Sequence, residues 1–572
     1  MDSKSENWLK RLPDLVIENI LDRVDISIYD ICGVRLWRKK FYPAFESWER
    51  IILRRWPEAK KLYEKQYEIS MESVENEEIN NERKLDFIEK GIICVLQLRD
   101  YVSQIIRMQY SKNYYNIDSY TQVQDVLYLP EYLTKELDEI INKPENHIRY
   151  YFYNNEIESL LNQSPRTNGC DLTERYINEK FFYYMKQCWL KKEWDIYELL
   201  PDNYKLLEQA VTIIAQSIQL QKNLYYLHIK ESLDNIVQEI LNCLKEKHPN
   251  HPIFSISAET RIYWENNNID ENHWNEKEGT QIMDTFQEYI FGKLNFQSNG
   301  GFTSEDMCID NVLRKKSGDG LIILIIYQSV ARRLGLRCNI IDNCPYYIFW
   351  KPKYTNDGLE NVRYLLVERQ DDSSWPTPLL SDFHEFYKMD VNKVWNYLKN
   401  QFQKNVGLAN TIFKLESNAY AIRMFKLHFA KPICRNTGLK DAEYAVGMII
   451  EHRALDGNKC TGVILAWHRC EDGHLISKGY DDLNCVLRLN HNESHSLNRG
   501  LIIYVVLGEH NKMCYVQEDY IVLTKPRWIA NDEIGRYFCK FKNTHYKPNE
   551  MLANLFPDDA AVRKRYLNEE DS

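Results

Sequence analysis

No Cys-x-x-Cys pair occurs in this chain of 572 residues, although it holds 14 Cys. Zinc sites usually set their ligands in close pairs, so scattered thiols whose nearest successive members are Cys338 and Cys344 give no metal signature. They fit the reduced, buried thiols of an intracellular protein. Long apolar runs are also missing. Leu321–Tyr327 and Leu501–Leu507 are the longest, far short of the roughly 20 residues that cross a bilayer. The opening MDSKSENWLKRLPD has neither an apolar signal-peptide core nor a small-residue cleavage site. The expectation is a protein of the cytoplasm and/or nucleus with no membrane partner. Positive charge is in deficit: 73 Lys plus Arg stand against 83 Asp plus Glu, a net of −10. Sequence-independent DNA binding rests on Lys and Arg neutralising phosphates, so this balance argues against it. Internal repeats and long low-complexity segments are absent too.

What is present is material for several cores. Hydrophobic residues make up 44% of the chain and aromatics 13%, with 39 Tyr. At about 150 residues per domain the length corresponds to three or four domains. Residues 8–55 carry apolar positions at helical steps: Leu9, Leu12, Val16, Ile20 and Val24, then Ile28, Ile31, Val34 and Trp37. Residues 56–84 are charged and read as a solvated helix or linker. Residues 85–336 are mostly helical in pattern, with breaks at Pro144, Pro165 and Gly169. The clearest helix is Leu321–Leu334, stopped by Gly335. Cys338–Ile341, Tyr346–Trp350 and Tyr364–Glu368 read as strands, and residues 380–430 return to helix. From Tyr444 onward short strands dominate: Gly447–His452, Thr461–Trp467, Cys485–Leu489, Leu501–Leu507, Met513–Val516 and Tyr520–Leu523. Their spacing suggests a small barrel.

Three stretches resemble known families. Leu12-Pro13-Asp14-Leu15, Ile17, Ile20-Leu21 and Val24, followed by Ile28, Ile31, Val34 and Trp37, resemble an F-box. Pro13 suits a first helical turn, where its missing N–H costs nothing. Three short helices are also too small to bury all these apolar residues among themselves. The resemblance implies that Leu12, Pro13, Ile17, Ile20, Leu21 and Trp37 contact Skp1, which joins a cullin scaffold. Arg35 departs from the family, standing where many F-boxes have Cys.

Residues 286–351 are similar to the SirB1-type transglutaminase-like family, most specifically at Val312-Leu313-Arg314 and Ala331-Arg332-Arg333-Leu334-Gly335-Leu336. Active transglutaminase folds set a Cys at a helix N-terminus beside a His, which a carboxylate orients. This chain has no Cys between Cys308 and Cys338, and no His between His273 and His384. Tyr347, in Cys344-Pro345-Tyr346-Tyr347, stands where the family has its His. The next strand ends in Leu365-Leu366-Val367-Glu368, with Asp371 and Asp372 beyond. Cys338 and Cys344 sit at or beside a strand rather than a helix start. The module is expected to lack catalysis, leaving a substrate cleft near Leu321, Tyr346 and Tyr347.

Residues 441–560 resemble the YccV or HspQ family, once labelled hemimethylated-DNA-binding. The resemblance rests on Tyr444–Arg453, Gly462–Trp467, Tyr515–Ile521, Ile534–Phe538, Tyr546–Asn549 and Pro557-Asp558-Asp559. Residues 440–572 carry 17 Lys plus Arg against 20 Asp plus Glu, a net of −3. That is the wrong sign for a phosphate footprint, and the basic cluster Arg563-Lys564-Arg565 is soon followed by Glu569, Glu570 and Asp571. His491 and His495 share a turn-rich stretch with no third ligand nearby, which reads as a surface loop.

The fold class that follows is multidomain α+β: an N-terminal helical F-box, a mainly helical middle with a transglutaminase-like α+β domain, and a C-terminal small β-barrel. The expected divisions are 1–55 for the F-box, 56–200 for a helical connector, 201–400 for the transglutaminase-like domain, 401–439 for a helical linker, 440–560 for the barrel and 561–572 for a charged tail. The order of modules implies a substrate-recognition subunit of a Skp1–cullin–F-box ubiquitin ligase. Its partners would be Skp1, a cullin and the protein substrates, with no cofactor and no bond chemistry of its own. A non-ubiquitin adaptor for protein or DNA, and a cysteine-dependent transferase or protease, are the alternatives.

Overall fold

A computed structural model describes residues 56–68, 77–111, 131–166, 170–299, 303–341, 347–351, 363–366, 393–394, 433–435, 442–453, 459–469, 485–486 and 502–567. The F-box-like positions Leu12, Pro13, Ile17, Ile20, Leu21 and Trp37 lie outside them. So do Tyr346, Cys344, Glu368, Asp371, Asp372, His491 and His495, and nearly all of the 380–430 segment. The chain is mostly helical, with a C-terminal sheet region, and divides into two compact units. One holds residues 1–185 and 421–572, the other residues 186–420.

In the first unit the charged stretch after residue 55 forms a helix, as one of the two expected readings had it, but with one face packed rather than solvated all round. Within Pro57–Glu68, Ala59 and Tyr63 share a buried face with the preceding Trp56. The Trp56 indole meets Phe152 edge-on at 5.2 Å and Phe87 at 6.2 Å. These rings tie the helix to Glu77–Ser111 and His147–Asn162. Lys and Glu outnumber apolar residues in this helix, which hides a stripe that is only three residues wide.

Among the described residues the C-terminal sheet has six strands. Their order across the sheet is Ile521–Leu523, Ile449–Arg453, Lys459–Arg469, Ile502–Gly508, Met513–Gln517 and Cys485–Val486. All neighbours are antiparallel except the last pair, which is parallel. No pairing joins the two outer strands among the described residues. A hairpin of Phe538–Phe541 and Tyr546–Pro548 follows, then the helices Glu550–Leu555 and Asp559–Leu567. Gly447 has φ +91, and a Cβ there would lie 2.1 Å from the Tyr546 carbonyl oxygen, so only glycine fits this approach. The first turn of the Leu172–Glu198 helix is pinned to the same module. Leu172 joins its apolar core, the Thr173 hydroxyl donates to the Phe538 carbonyl at 3.4 Å, and the Tyr176 hydroxyl donates to Glu533 at 2.9 Å.

In the second unit the organising element is the helix Gly320–Arg333. Its first two turns, Leu321–Tyr327, are apolar on every side, as expected of a helix that neighbours enclose completely. Leu321 through Tyr327 are all buried. Around it stand Leu207–Ile218, Tyr226–Lys247, Ala258–Asn266 and Glu276–Gln287. An antiparallel sheet of Cys338–Ile341, Tyr347–Trp350 and Arg363–Leu366 follows. The central helix ends in a Schellman motif: Leu336 N–H donates to the Ala331 carbonyl at 3.0 Å and Gly335 N–H to the Arg332 carbonyl at 2.9 Å. Gly335 takes φ +74, and a Cβ there would lie 2.8 Å from the Trp264 ring. Gly335→Ala therefore combines left-handed strain with overpacking and should cost about 2–4 kcal/mol, read as a shift of the urea midpoint at unchanged slope.

Candidate functional site

The site to inspect is the N-terminus of the Gly320–Arg333 helix, because a helix start lowers the pKa of a thiol placed on it. The local chain folds there through two acidic caps. The Asp306 carboxylate accepts from Thr303 N–H at 3.1 Å, the Thr303 hydroxyl at 2.6 Å and Asn299 Nδ2 at 2.8 Å. Burial opposes its charge, but these hydrogen bonds prevail and hold its pKa below the usual value. The Asp306 carbonyl accepts from Asp319 N–H at 2.9 Å. The Asp319 side chain then turns onto the helix and accepts from Leu321 N–H at 2.9 Å. A carboxylate thus occupies the helix start, where the macrodipole favours negative charge.

The structure brings together only part of the expected cleft. Leu321 is fully buried, so its side chain belongs to the core and does not line an open surface; only its N–H faces the helix end. Tyr347 opens its strand, with Ile341 opposite on one side and Leu366 on the other. The strand Cys338–Ile341 runs back along the helix after a tight turn, and Gln328 donates to the Cys338 carbonyl at 2.8 Å.

Two thiols near this helix, Cys308 and Cys338, are ill suited to attack. Cys338 is buried in the core, and burial alone pushes its pKa far above that of a free thiol. Cys308 is completely buried; burial, then the charge of Asp310, raises its pKa as well. His251 is committed to structure: its Nδ1 accepts from Ile253 N–H at 3.1 Å, which leaves Nε2 to donate to the Glu278 carbonyl at 3.2 Å. His273 sits edge-on to Trp264 and Trp274, with ring centroids at 5.0 and 4.8 Å. Cys338 should resist a thiol-reactive probe at pH 7 in the native protein and react only after denaturation, a result that mass-mapped labelling reads directly.

Sequence reasoning singled out Ala331-Arg332-Arg333-Leu334-Gly335-Leu336 but not what the arginines do. Both are buried. Each forms an ion pair with the Glu208 carboxylate, Arg333 at 3.1 Å. Arg332 also donates to the carbonyls of Trp264 and Asn267. Arg333 donates through Nε to Asp234 at 2.9 Å, and the Ser329 hydroxyl donates to Glu208 at 2.9 Å. Burial pushes the Glu208 pKa up, but the two guanidiniums outweigh it and hold the pKa at about 2. This motif is a clamp fastening the central helix to Leu207–Ile218 and Tyr226–Lys247, not a ligand site.

The C-terminal module has a matching clamp. Asp559, fully buried, accepts from Arg435 Nε at 2.8 Å, Val446 N–H at 2.7 Å and Trp467 Nε1 at 3.2 Å. The Arg435 guanidinium lies 4.9 Å from the Trp467 ring centroid. Glu518 accepts from the Tyr504 hydroxyl and from Glu443 N–H, both at 2.8 Å. In the Arg563-Lys564-Arg565 cluster, Arg563 donates to the Val446 carbonyl at 2.6 Å. Among the described residues no group of His, Cys, Asp and Glu is arranged to hold a metal ion.

Comparison with known proteins follows this division. Residues 228–347 match the model of the transglutaminase-like superfamily. The chain is 21% identical over 485 residues to F-box only protein 21 of Pongo abelii, spanning 71% of this chain and 74% of that one. It is 21% identical to the proteins of the same name from Mus musculus, over 74% and 77% of the two chains, and from Homo sapiens, over 71% and 74%. No solved structure matches.

Proposed function

We propose that this chain is the substrate-recognition subunit of a Skp1–cullin–F-box ubiquitin ligase, and that its transglutaminase-like region binds but does not catalyse. The observation that carries the reading is the helix start at Asp319-Gly320-Leu321. A carboxylate caps it and an apolar side chain fills the core where a nucleophile would have to stand. Similarity across about three-quarters of proteins named for an F-box supports the rest. So do the F-box-like residues Leu12, Pro13, Ile17, Ile20, Leu21 and Trp37. Such a receptor contributes proximity: it raises the effective concentration of a target lysine near a ubiquitin-charged enzyme.

In this reading residues 1–55 hold Skp1, and residues 56–200 connect them to the transglutaminase-like domain at 201–400. Residues 401–439 lead into the YccV-like module at 440–560, and a charged tail closes the chain. The end of the sheet around Tyr347, with Tyr346 beside it, is the proposed substrate surface. Nucleic acid is not a proposed partner, since the C-terminal module is net acidic. No helix among the described residues is long and apolar enough to cross a membrane, which accords with action in the cytoplasm or nucleus. The test is assembly: mixed with purified Skp1 and a cullin, the full chain should co-elute with both. A folded chain that leaves both behind overturns the proposal and favours an adaptor without ubiquitin chemistry.

A further inference from the structure

The second unit carries its exposed large apolar side chains in one region. Leu199, Tyr204, Tyr225, Leu227, Ile262 and Tyr263 are between 37% and 84% exposed. Among the described residues, every exposed large apolar side chain of this unit falls between residues 196 and 263. Polar links bring the segments that bear them together. Lys230 Nζ lies 3.1 Å from Asn266 Oδ1 and 3.3 Å from Glu265 Oε2, so the Tyr226–Lys247 and Ala258–Asn266 helices meet there. Leu227 precedes Lys230 by three residues and Ile262 precedes Asn266 by four, so both lie within about 6 Å of axial rise from that bridge. Asn268 then ties in the loop that bears Tyr204: its N–H donates to the Asn203 carbonyl at 2.7 Å, and its Nδ2 to the carbonyls of Asp202 and Lys205 at 2.9 and 3.0 Å. Tyr225 stacks edge-on with His228 at 5.6 Å beside Leu227.

Exposed apolar side chains gathered on adjoining segments of a surface mark an interaction site, and Tyr is enriched among interface anchors. The charge around it selects the partner. Segments 195–205, 225–231 and 258–271 contain eight Asp and Glu against three Lys and Arg, a net of −5. Glu231, Glu259, Asp270 and Glu271 carry no ion pair among the described residues, and all four are exposed. We propose that this Tyr/Leu/Ile surface docks a segment of a partner protein that presents apolar side chains flanked by lysine or arginine. The buried arginine clamp behind it, Arg332 to the Trp264 carbonyl and Arg333 to Asp234, gives the patch a rigid backing, which lowers the ordering cost of binding.

The test uses the full chain and two fluorescein-labelled peptides of equal length and identical Leu positions, one with Lys and the other with Glu at the polar positions. The expected result by fluorescence anisotropy is that the Lys peptide binds at least about tenfold more tightly than the Glu peptide. Its affinity should fall as salt rises from about 50 to about 300 mM. The variant Leu227→Ser/Ile262→Ser/Tyr263→Ser should lose about tenfold in affinity at an unchanged melting temperature. Tyr520→Ser/Val522→Ser, at the exposed strand Ile521–Leu523 of the other unit and the turn before it, should bind like the parent. Equal binding of the two peptides, no binding of the Lys peptide, or full binding by the triple variant overturns the proposal. A concentration-dependent dimer in sedimentation that the triple variant abolishes also overturns it, in favour of a second copy as the occupant. No Skp1 enters the assay, so the inference and the ligase reading stand or fall separately.

Discussion

Glu208→Ala lowers the unfolding free energy of the chain by about 3–5 kcal/mol, the largest single effect expected in the second unit. The reason is asymmetry. The carboxylate meets the Arg332 and Arg333 guanidiniums and the Ser329 hydroxyl in the core. Removing it leaves two buried cations facing each other, answered among the described residues by backbone carbonyls, the Tyr226 side chain and the half-exposed Asp234. The exposed pair Lys205–Asp202, at 3.3 Å with Asp202 fully in solvent, is the control: Asp202→Ala should change stability by about 0.5 kcal/mol or less. Denaturant unfolding followed by tryptophan fluorescence measures both. The clamp also sets an acid limit. A carboxylate whose folded pKa is about 2, against 4.5 ordinarily, stabilises the fold fully above pH 4.5. That stability is lost as the pH falls through the folded pKa, in total about 3 kcal/mol. Glu208→Ala should flatten this acid limb.

Asp559→Ala has the second large effect, about 3–5 kcal/mol in the first unit. It strands Arg435 and leaves Val446 N–H and the Trp467 indole without their acceptor, each a buried donor that costs about 1–3 kcal/mol unpaired. Asp559→Asn keeps the shape and an acceptor for Val446 N–H but not the charge, so it should recover about 1 kcal/mol of the loss. The expected signature is an earlier melting transition together with loss of the buried environment of Trp467. A variant that melts like the parent would show that the last helix is dispensable to the sheet.

Much of the fold was legible because the apolar pattern is local. Seven consecutive apolar residues followed by Gly335 define the central helix, observed as Gly320–Arg333 against an expected Leu321–Leu334. The expected strand Cys338–Ile341 is observed with those bounds. The C-terminal strands are present, with edges among the described residues shifted by up to two residues. What was illegible lies in long-range pairing. Nothing local in Arg332-Arg333 announces Glu208, which stands 124 residues before Arg332, and nothing in Asp559 announces Arg435 at the same separation. The packed face of the helix after residue 55 was hidden by its charge, since Trp56, Ala59 and Tyr63 alone do not resemble an apolar stripe. Leu321 was placed in a cleft because it sits at the helix start. Its side chain instead follows the helix face into the core.

The most direct measurement is the affinity of the full chain for purified Skp1 by isothermal titration, for the parent and for Ile20→Asp/Leu21→Asp. The account predicts a one-to-one complex of submicromolar affinity, about −8 kcal/mol or better. In the double variant, binding should weaken by about 100-fold or more, while the melting transition stays that of the parent. Absence of heat and of co-elution with a folded parent chain, or equal affinity for the double variant, would contradict the account.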